Sequence, residues 1–377
     1  MIIERKIQKI LEKSLFKGKI IILYGARQVG KTTLVRSLMQ KYADSIYLNC
    51  DEPDIRASLT EKTSTQLKSF IGSARFVIFD EAQRVKNIGL TLKILIDTYP
   101  EIQILATGSS SFELSSEISE PLTGRKEEFF LYPFSLGELS SVYSPLEIHR
   151  LLEDFMIFGL YPGVVFSGTK RESYIRELAT SYSYKDILSY QDIRNPEILE
   201  KLLQALALQV GNEVSYTELA QLLGINKITV QNYIRILEQA YIIFRVGPYS
   251  RNIRNELTKK RKIYFFDVGI RNALINNFNS FDIRQDVGGV WENFLISERI
   301  KRNAILGINA QSYFWRTIDG KEIDYVEDKG GILSAFELKW KKNNFIPPKD
   351  FIEAYPGSSI TLINRENYKE FVQDYRV

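Results

Sequence analysis

The residues best placed to do chemistry stand near the start of the chain, in a glycine-rich segment that fits the pattern GxxxxGK[ST]. A buried-strand pattern over residues 19–24 precedes this segment, and an amphipathic helix pattern over residues 33–39 follows it. Gly25 and Gly30 let the backbone curl around phosphate oxygens, so that N–H groups and the positive end of the helix face the anion. We therefore predict a triphosphate site in which Lys31 contacts the β- and γ-phosphates and Thr32 binds Mg²⁺. The predicted ATP-binding residues in this segment are Gly25, Ala26, Arg27, Gln28, Val29, Gly30, Lys31, Thr32 and Thr33.

Two acids that follow a second buried strand are an independent indication of the same site. Residues 76–79 are apolar, as in a central parallel strand, and Asp80 and Glu81 follow directly. The carboxyl ends of parallel strands meet at the crevice where doubly wound sheets bind ligands. We expect Asp80 to bind Mg²⁺ and Glu81 to orient and polarise the attacking water. The alternatives are that the glycine-rich segment is only a strand-to-helix turn and that the two acids only cap a helix.

A third apolar strand pattern, residues 102–106, is followed by a group of hydroxyl side chains. With the two preceding motifs it makes the sequence resemble the AAA-type P-loop ATPases. In that family a polar residue closing the strand beside the phosphate-loop strand senses the γ-phosphate. Thr107, Ser109 and Ser110 all fit this role, and the resemblance favours Ser109. Hydroxyl residues after a strand also form turns and helix caps, which is the alternative here.

The resemblance also implies a catalytic role for Arg125, which follows Gly124 just before a strand pattern over residues 128–131. An arginine at this point stabilises transition-state charge in cis or on a neighbouring subunit, and the second case requires a homo-oligomer. A surface arginine fits the sequence equally well. Arg171 and Arg176 are candidates for the second sensor of AAA-type lids, and their spacing does not decide between them.

The middle of the chain has helical patterns that indicate a connector and then a small module. Residues 138–197 are helical and aromatic and are expected to form a lid or connector. Residues 198–262 contain short helical patterns and a basic hairpin, which together look like a winged helix-turn-helix. The outward residues of its third helix suit the phosphates and base edges of DNA, and they are Lys227, Thr229, Asn232 and Arg235. Winged helices also mediate protein contacts, which is the alternative.

The last part of the chain contains a second group of residues suited to chemistry. Strand patterns on both sides of an Asp-Gly pair at 319–320 predict a hairpin, and a further strand carries Glu337 and Lys339 on one face. If Asp324 ends beside them, Asp324 and Glu337 can bind Mg²⁺ and position a water for phosphodiester attack. A helix over residues 290–296 could add Glu292. This order of residues resembles the PD-(D/E)XK nuclease-like fold, and the alternative is an ordinary half-exposed strand.

The order of these modules resembles a prokaryotic AAA-type P-loop ATPase family with a winged-helix segment and a PD-(D/E)XK nuclease-like C-terminal domain, over nearly all 377 residues. The resemblance implies an α/β fold with four parts. These are an ATPase domain with a parallel sheet (1–137), a helical lid or connector (138–197), a winged helix-turn-helix (198–262) and an α/β nuclease-like domain (263–377). We predict Mg²⁺-dependent ATP hydrolysis coupled to DNA association, with DNA cleavage by the last domain. The alternative is a nucleotide-switched regulator that binds DNA or protein and has an inactive nuclease-like domain.

Composition excludes several other kinds of chemistry. Cys50 and His149 are the single cysteine and histidine, so no intramolecular disulfide can form, and zinc or histidine-based acid–base sites are nearly excluded. Hydrophobic residues at 44% and charged residues at 25% are typical of a globular chain. A net charge of +4 permits contact with nucleic acid without requiring it. The sequence has no apolar stretch of membrane-spanning length and no signal-peptide core, so we expect no membrane partner and a cytoplasmic location.

Overall fold

A computed structural model of the chain describes residues 3–108, 118, 120–181, 195–250, 261–341 and 345–373. Two compact units are distinguished by their internal contacts. The N-terminal unit comprises Ile2–Tyr132 with Gln239–Tyr241, and the C-terminal unit comprises Pro133–Glu238 with Ile242–Val377. The division of the sequence into four parts stays a prediction. None of the described helices combines the length and the apolar character that a membrane span requires.

The N-terminal unit is built on a parallel β-sheet whose central strands are apolar. Its described strands are β1 (Ile20–Tyr24), β2 (Ser45–Asn49), β3 (Phe76–Asp80), β4 (Gln103–Gly108) and β5 (Lys126–Phe130). Among the described residues the strand order is β2-β3-β4-β1-β5, and each neighbouring pair is parallel. All side chains of β1, β3 and β4 are buried, as expected for a sheet covered on both faces. The predicted parallel sheet is confirmed, and the carboxyl ends of β1, β3 and β4 lie side by side.

Helices connect these strands and begin where the sequence provides a start signal. They are α1 (Ile7–Ser14), α2 (Lys31–Met39), α3 (Pro53–Leu59), α4 (Ser64–Ile71) and α5 (Ile88–Thr98). Helix α2 begins directly after Gly30, and α3 has Pro53 in its first turn. Helix α4 begins with a capping box, in which the side chains of Thr63 and Gln66 accept hydrogen bonds from each other's backbone N–H groups. The helices return the chain across the sheet, so that the described strands all end at the same edge.

The C-terminal unit contains the remaining described helices. They are α6 (Leu136–Leu139), α7 (Pro145–Phe158), α8 (Pro162–Phe166), α9 (Arg171–Ser181), α10 (Pro196–Leu208), α11 (Tyr216–Leu223), α12 (Lys227–Gln239), α13 (Val268–Leu274), α14 (Val287–Leu306), α15 (Lys349–Ala354) and α16 (Tyr368–Val372). Helix α7 starts at a capping box of Ser144 and Glu147 and ends at Gly159, which has a φ of 81°. The predicted helical character is confirmed for residues 136–181, and residues 182–194 lie outside the described part of the chain.

The same unit contains a mixed β-sheet. Its described strands are β6 (Glu213–Val214), β7 (Ile243–Pro248), β8 (Arg261–Phe265), β9 (Gln311–Arg316), β10 (Glu322–Lys329), β11 (Ile332–Leu338) and β12 (Ser359–Ile363). Among the described residues their order is β12-β11-β10-β9-β7-β8-β6. The pairs β7–β9 and β11–β12 are parallel, and the other pairs are antiparallel. The predicted hairpin is confirmed, because β9 and β10 pair on either side of a turn in which Gly320 has a φ of 94°.

Helix α14 is fixed against this sheet by both apolar and polar contacts. It packs on β8 and β11, and its side chains Trp291 and Phe294 are buried. The side-chain amide of Asn293 accepts a hydrogen bond from the backbone N–H of Phe265 (2.9 Å) and donates one to the carbonyl of the same residue (2.7 Å). This pairing anchors the helix to β8 and thereby sets the position of the neighbouring Glu292.

Candidate functional site

The glycine-rich segment forms a tight loop between β1 and α2, and two of its glycines are required by the local geometry. A Cβ atom on Gly25 would stand 2.3 Å from the carbonyl oxygen of Leu131, far inside contact distance. Gly30 has a φ of 96°, a conformation that other residues rarely adopt. The loop therefore joins a buried strand closely to a helix N-terminus, which is the arrangement in which backbone N–H groups can bind an anion.

Lys31 is the first residue of α2 and is 5% exposed. Its ammonium donates hydrogen bonds to the carbonyl oxygens of Gly25 (2.9 Å) and Ala26 (3.1 Å). The Oε1 atom of Glu81 lies 3.9 Å from the Lys31 Nζ atom. These oxygens replace the water that burial removes from the ammonium. A positive charge is thus held against the loop and beside the acid that the sequence assigns to water activation.

Asp80, at the end of β3, is surrounded by hydroxyl groups from three other elements. The Oδ2 atom accepts a hydrogen bond from the Thr32 hydroxyl of α2 (2.8 Å) and another from the Tyr47 hydroxyl of β2. The Oδ1 atom accepts one from the Thr107 hydroxyl of β4 (2.5 Å). The carboxylate is 3% exposed. The structure therefore brings together the two residues that the sequence assigns to Mg²⁺, Thr32 and Asp80, and adds Thr107 and Tyr47 to them.

Glu81 is held in an uncommon backbone conformation directly after β3. Its φ of 54° and ψ of 44° lie in the left-handed region, which non-glycine residues adopt mainly where the surrounding structure fixes them. Its backbone N–H donates to the Thr107 hydroxyl oxygen (3.0 Å), and its Oε2 atom accepts a hydrogen bond from the Gln83 side chain (2.6 Å). Thr107 therefore bridges the Asp80 carboxylate and the Glu81 backbone, while Gln83 holds the Glu81 carboxylate.

Tyr47 is a residue of this site that sequence patterns do not reveal. It lies in the middle of β2, where a tyrosine normally indicates only packing on a half-buried strand. Burial is the main cause, and the hydrogen bond to Asp80 the second, of a pKa of Tyr47 that is raised to about 12. The Arg36 guanidinium stands 4.9 Å above the centre of the ring. Tyr47 therefore remains a neutral hydroxyl donor to the Asp80 carboxylate at physiological pH.

Arg125 does not lie near the P-loop. Its carbonyl accepts a hydrogen bond from the backbone N–H of Ile20, at the start of β1, whereas the P-loop follows the end of this strand. Its side chain is paired with Asp97 at 2.6 Å and is exposed. The expectation that Arg125 acts in cis is therefore not met by this geometry, because the whole length of β1 separates the two positions. Its action on a neighbouring subunit stays a prediction.

The remaining candidates for a phosphate sensor are two serines and two arginines, and none of them is seen at the nucleotide site among the described residues. Ser109 and Ser110 lie outside the described residues. Arg171 pairs with Asp154 at 2.8 Å and Arg176 with Glu172 at 2.7 Å, all within the C-terminal unit. Among the three hydroxyl residues proposed as a γ-phosphate sensor, Thr107 is thus the one that the described structure connects to both Asp80 and Glu81.

The C-terminal unit brings Asp324, Glu337 and Lys339 together, which is the grouping that the predicted cation site requires. The Lys339 ammonium lies 2.6 Å from Glu337 Oε1 and 3.7 Å from Asp324 Oδ2. Asp324 Oδ2 also accepts a hydrogen bond from the backbone N–H of Leu338 (2.8 Å), which joins β10 to the end of β11. Burial, together with the charge of Asp324, raises the pKa of Glu337 above its ordinary value. We call these three side chains the carboxylate–lysine cluster.

A second lysine, which the sequence patterns place only at the end of the basic hairpin, lies next to this cluster. Lys262 on β8 is 1% exposed, and its ammonium lies 2.9 Å from Glu292 on α14 and 2.5 Å from Glu322 on β10. Burial opposes its charge, but the carboxylates of Glu292, Glu322 and Asp324 raise the pKa of Lys262 overall. The Tyr264 hydroxyl donates to the same oxygen of Glu292. Glu292 thus lies beside the cluster, as predicted, and is bound to Lys262.

Within the described part of the chain, one oxygen of the carboxylate–lysine cluster has no hydrogen-bond partner. Glu337 is 7% exposed, and its Oε2 atom is buried without a donor, although Oε1 is paired with Lys339. A buried carboxylate oxygen in this state favours a ligand that supplies positive charge. No group of three or more Asp, Glu, Cys or His side chains among the described residues has the geometry of a metal site. A cation here would therefore rely on Asp324, Glu337 and water, as Mg²⁺ commonly does.

The predicted DNA-contacting residues share the solvent side of α12. Lys227, Asn232 and Arg235 are exposed, while Val230 and Ile234 on the opposite side of the helix are buried. Asn226 caps the start of α12, because its Oδ1 atom accepts hydrogen bonds from the backbone N–H (2.8 Å) and the hydroxyl (3.0 Å) of Thr229. The hydroxyl of Thr229 is therefore already used in this cap. The basic hairpin residues between 251 and 260 lie outside the described part of the chain.

Comparisons with known proteins bear on the class of this chain. Residues 17–140 match the family described as AAA domain. The solved structure of the Walker-type ATPase of Pyrococcus abyssi is similar in fold, with a TM-score of 0.51 and 17% identity over 72% of this chain and 96% of that chain. With the P-loop geometry and the parallel sheet, the family match supports an AAA-type ATP-binding domain over residues 17–140, and the solved structure shows a similar fold.

The remainder of the chain is similar to families without an assigned role. Residues 149–280 match a domain of unknown function, DUF8612, and residues 287–369 match another, DUF4143. Two similar proteins are an uncharacterized protein of Mycobacterium tuberculosis and one of Methanocaldococcus jannaschii. The first is 27% identical over 90% of this chain and 74% of its own length, and the second is 26% identical over 88% and 78%. The similarity thus extends across both units.

Proposed function

We propose that the N-terminal unit hydrolyses ATP to ADP and phosphate with Mg²⁺ as cofactor, and that the residues around Asp80 carry the reaction. Lys31 contacts the terminal phosphates, and its buried position beside the loop strengthens that charge interaction. Thr32 and Asp80 would hold Mg²⁺, which would offset the negative charge of the phosphates. The donor set fits this ion, since Mg²⁺ prefers hydroxyl and carboxylate oxygens with several waters.

Glu81 orients the attacking water. Its carboxylate accepts a hydrogen bond from that water, whose oxygen forms a bond to the γ-phosphorus while the bond to the bridging oxygen breaks. The left-handed backbone at Glu81, the bond from Gln83 and the bond to Thr107 keep this carboxylate in one direction. Orientation is the main contribution that a protein makes to phosphoryl transfer.

One observation carries this proposal: the Thr107 hydroxyl links the Asp80 carboxylate to the backbone N–H of Glu81, while the Glu81 carboxylate lies 3.9 Å from the Lys31 ammonium. We expect Lys31→Ala to abolish ATP binding and Glu81→Gln to retain binding while lowering turnover at least about 100-fold. Lys17→Ala and Glu101→Gln are matched controls, because both residues are exposed in the same unit. Full ATP turnover by Lys31→Ala or Glu81→Gln would contradict the proposal.

A second candidate function belongs to the C-terminal unit, namely Mg²⁺-dependent cleavage of a phosphodiester at the carboxylate–lysine cluster. The unpartnered Glu337 Oε2 atom favours it, because a divalent cation on Asp324 and Glu337 would satisfy that oxygen. Mg²⁺ supplies a polarised water and neutralises phosphate charge when bound. Lys339 would donate a hydrogen bond that orients the attacking water. The water oxygen would bond to phosphorus as the bond to the sugar oxygen breaks, and a water proton would pass to the leaving sugar oxygen through solvent.

Purified protein incubated with supercoiled DNA and Mg²⁺ or Mn²⁺ tests this second function. We expect metal-dependent nicking that Asp324→Asn abolishes and Asp319→Asn leaves unchanged. Asp319 is a matched control, because it is exposed and its Asp-Gly turn is equally compatible with Asn-Gly. DNA binding without nicking in the wild-type protein would instead favour the alternative of a nucleotide-switched regulator with an inactive nuclease-like domain.

We infer that DNA is the partner of the C-terminal unit. The order α10, β6, α11, α12, β7, β8, with β8 between β6 and β7 in an antiparallel arrangement, supports a winged helix-turn-helix. In such a module the helix corresponding to α12 enters the major groove. The exposed cations and amide on α12 support this role, since they suit phosphates and base edges.

A further inference from the structure

Arg5 lies just before α1 and is not part of the glycine-rich motif at residues 25–32. Its side chain nevertheless contacts the loop that this motif forms, the P-loop. Its Nη1 atom donates a hydrogen bond to the carbonyl oxygen of Val29 (2.8 Å), and its Nη2 atom donates one to the carbonyl oxygen of Tyr132 (2.5 Å). Arg5 is 8% exposed. The region that matches the AAA domain begins at residue 17, so Arg5 precedes it. The guanidinium therefore spans the P-loop and the segment that follows β5.

The contact with Val29 acts on the part of the loop that faces an anion. The Val29 carbonyl and the Gly30 N–H belong to one planar trans peptide unit, in which the two groups point in opposite directions. A donor that holds the carbonyl on one side thus turns the N–H to the other side. It also polarises the peptide, which makes that N–H a stronger donor. Gly30 has a φ of 96° and would otherwise have wide conformational freedom.

The contact with Tyr132 gives the guanidinium a fixed support. Leu131, the preceding residue, donates its backbone N–H to the Tyr24 carbonyl (2.8 Å) at the end of β1. The segment that carries Arg5 is itself anchored, because Ile3, Ile7 and Leu11 are buried. An arginine can span two acceptors with its planar fork, whereas a lysine presents a single nitrogen.

We propose that Arg5 is a positioning residue of the nucleotide site, which orients the Gly30 N–H toward the phosphates of the bound nucleotide by holding the Val29 carbonyl. This role rests on the proposed ATP site. It acts on binding of the phosphates and not on the orientation of the attacking water. The Michaelis constant for ATP should therefore respond to changes at Arg5 more than kcat does.

Steady-state ATP turnover and equilibrium titration with ATP and ADP test this role in the full chain. We expect Arg5→Lys and Arg5→Gln each to raise the Kd and the KM for ATP about tenfold, the scale of one charge-assisted hydrogen bond. The kcat should stay within about twofold, since the groups around the γ-phosphate are unchanged. Lys9→Gln, which changes an exposed cation on α1, should behave as the wild type.

Folded Arg5 variants that bind ATP as tightly as the wild type would overturn the proposal, and so would an Arg5→Lys variant with full affinity. If neither variant folds, hydrogen exchange in the unaltered protein decides. Added ADP should then protect peptides covering residues 3–8 together with those covering residues 25–32, and protection confined to the second set would overturn the role. A wild-type chain that binds no ATP would contradict the proposed function itself.

Discussion

Asp80 accepts hydrogen bonds from the hydroxyl groups of Thr32, Tyr47 and Thr107, which come from α2, β2 and β4. A carboxylate with donors on both oxygens has little freedom to rotate, because each hydrogen bond fixes a direction of approach. The orientation of this side chain toward the P-loop is thus determined by the neighbouring strands as much as by β3. Removal of a single hydroxyl is the smallest change that tests the arrangement.

Replacing Tyr47 by phenylalanine removes the hydroxyl and keeps the ring that lies under Arg36. We expect kcat for ATP to fall about fivefold, because the Asp80 carboxylate loses one of its hydrogen bonds. Turnover at saturating ATP and Mg²⁺ measures the effect. Tyr42→Phe is the matched control, since the Tyr42 ring contacts Phe16 and Phe76 in the same unit. If the two variants have equal kcat, the hydroxyl of Tyr47 has no part in orienting Asp80.

The residues of the P-loop and the two acids could be predicted from the sequence, and Tyr47 and Lys262 could not. Lys31 and Asp80 occupy fixed places relative to strand ends, and parallel strands bring those ends together. Tyr47 and Lys262 make their polar contacts through pairings between distant segments, so no local pattern marks them. The position of Arg125 follows from the parallel pairing of β1 and β5, because a residue just before β5 lies beside the start of β1 and not beside the P-loop at its end.

At the scale of elements, Lys262 joins three parts of the C-terminal unit. Its ammonium connects β8 to Glu292 on α14 and to Glu322 on β10. Removing one partner of a buried ion pair is strongly unfavourable, whereas the pair as a whole adds little to stability. The network therefore acts mainly to fix the relative positions of these elements. It also leaves Glu292 in an environment where its charge is costly.

This environment makes part of the stability dependent on pH. Burial raises the pKa of Glu292 from 4.5 to about 7, with Lys262 opposing the shift and Asp324 adding to it. Between these pH values the folded state binds more protons than the unfolded state. The contribution of Glu292 to the free energy of unfolding is therefore full below pH 4.5 and is lost as the pH rises through 7. It amounts to at most about 3 kcal/mol, from 1.36 kcal/mol per pKa unit.

Glu292→Gln removes this titration. In thermal unfolding with EDTA present, we expect the Tm of the wild type to fall between about pH 5 and 8 by several degrees more than that of Glu292→Gln. Glu353→Gln, an exposed position on α15, should keep the wild-type slope. Parallel pH profiles for the wild type and Glu292→Gln would mean that Glu292 does not titrate in this range.

Helix and hairpin positions in this unit follow from local patterns, but the pairing of β7 with β9 does not. The hairpin of β9 and β10 is marked by its Asp-Gly turn, and α12 by its N-cap Asn226. The parallel contact of Gly247 with Tyr313 joins segments far apart in the chain, and its formation depends on tertiary packing. The continuous sheet from β6 to β12 is therefore a property that sequence patterns leave open.

At the scale of the whole molecule, the net charge of +4 is too small to drive DNA binding by itself. Binding would have to come from cations arranged on one surface. The exposed side of α12 offers Lys227 and Arg235 at such a surface, together with Asn232. These residues lie in the C-terminal unit, whereas the residues around Asp80 lie in the N-terminal unit. DNA affinity and ATP turnover should consequently respond to different substitutions.

The double variant Lys227→Gln, Arg235→Gln tests this separation. We expect its DNA affinity to fall roughly tenfold near 0.1 M salt, and the slope of log K against log salt to decrease by about 2, since each lost phosphate contact accounts for about 0.9. ATP turnover without DNA should stay at the wild-type rate. Lys329→Gln with Lys341→Gln is the matched control, because it makes the same charge change at exposed sites of the same unit. If both pairs weaken DNA binding equally, the interaction follows total charge and α12 is not the contact surface.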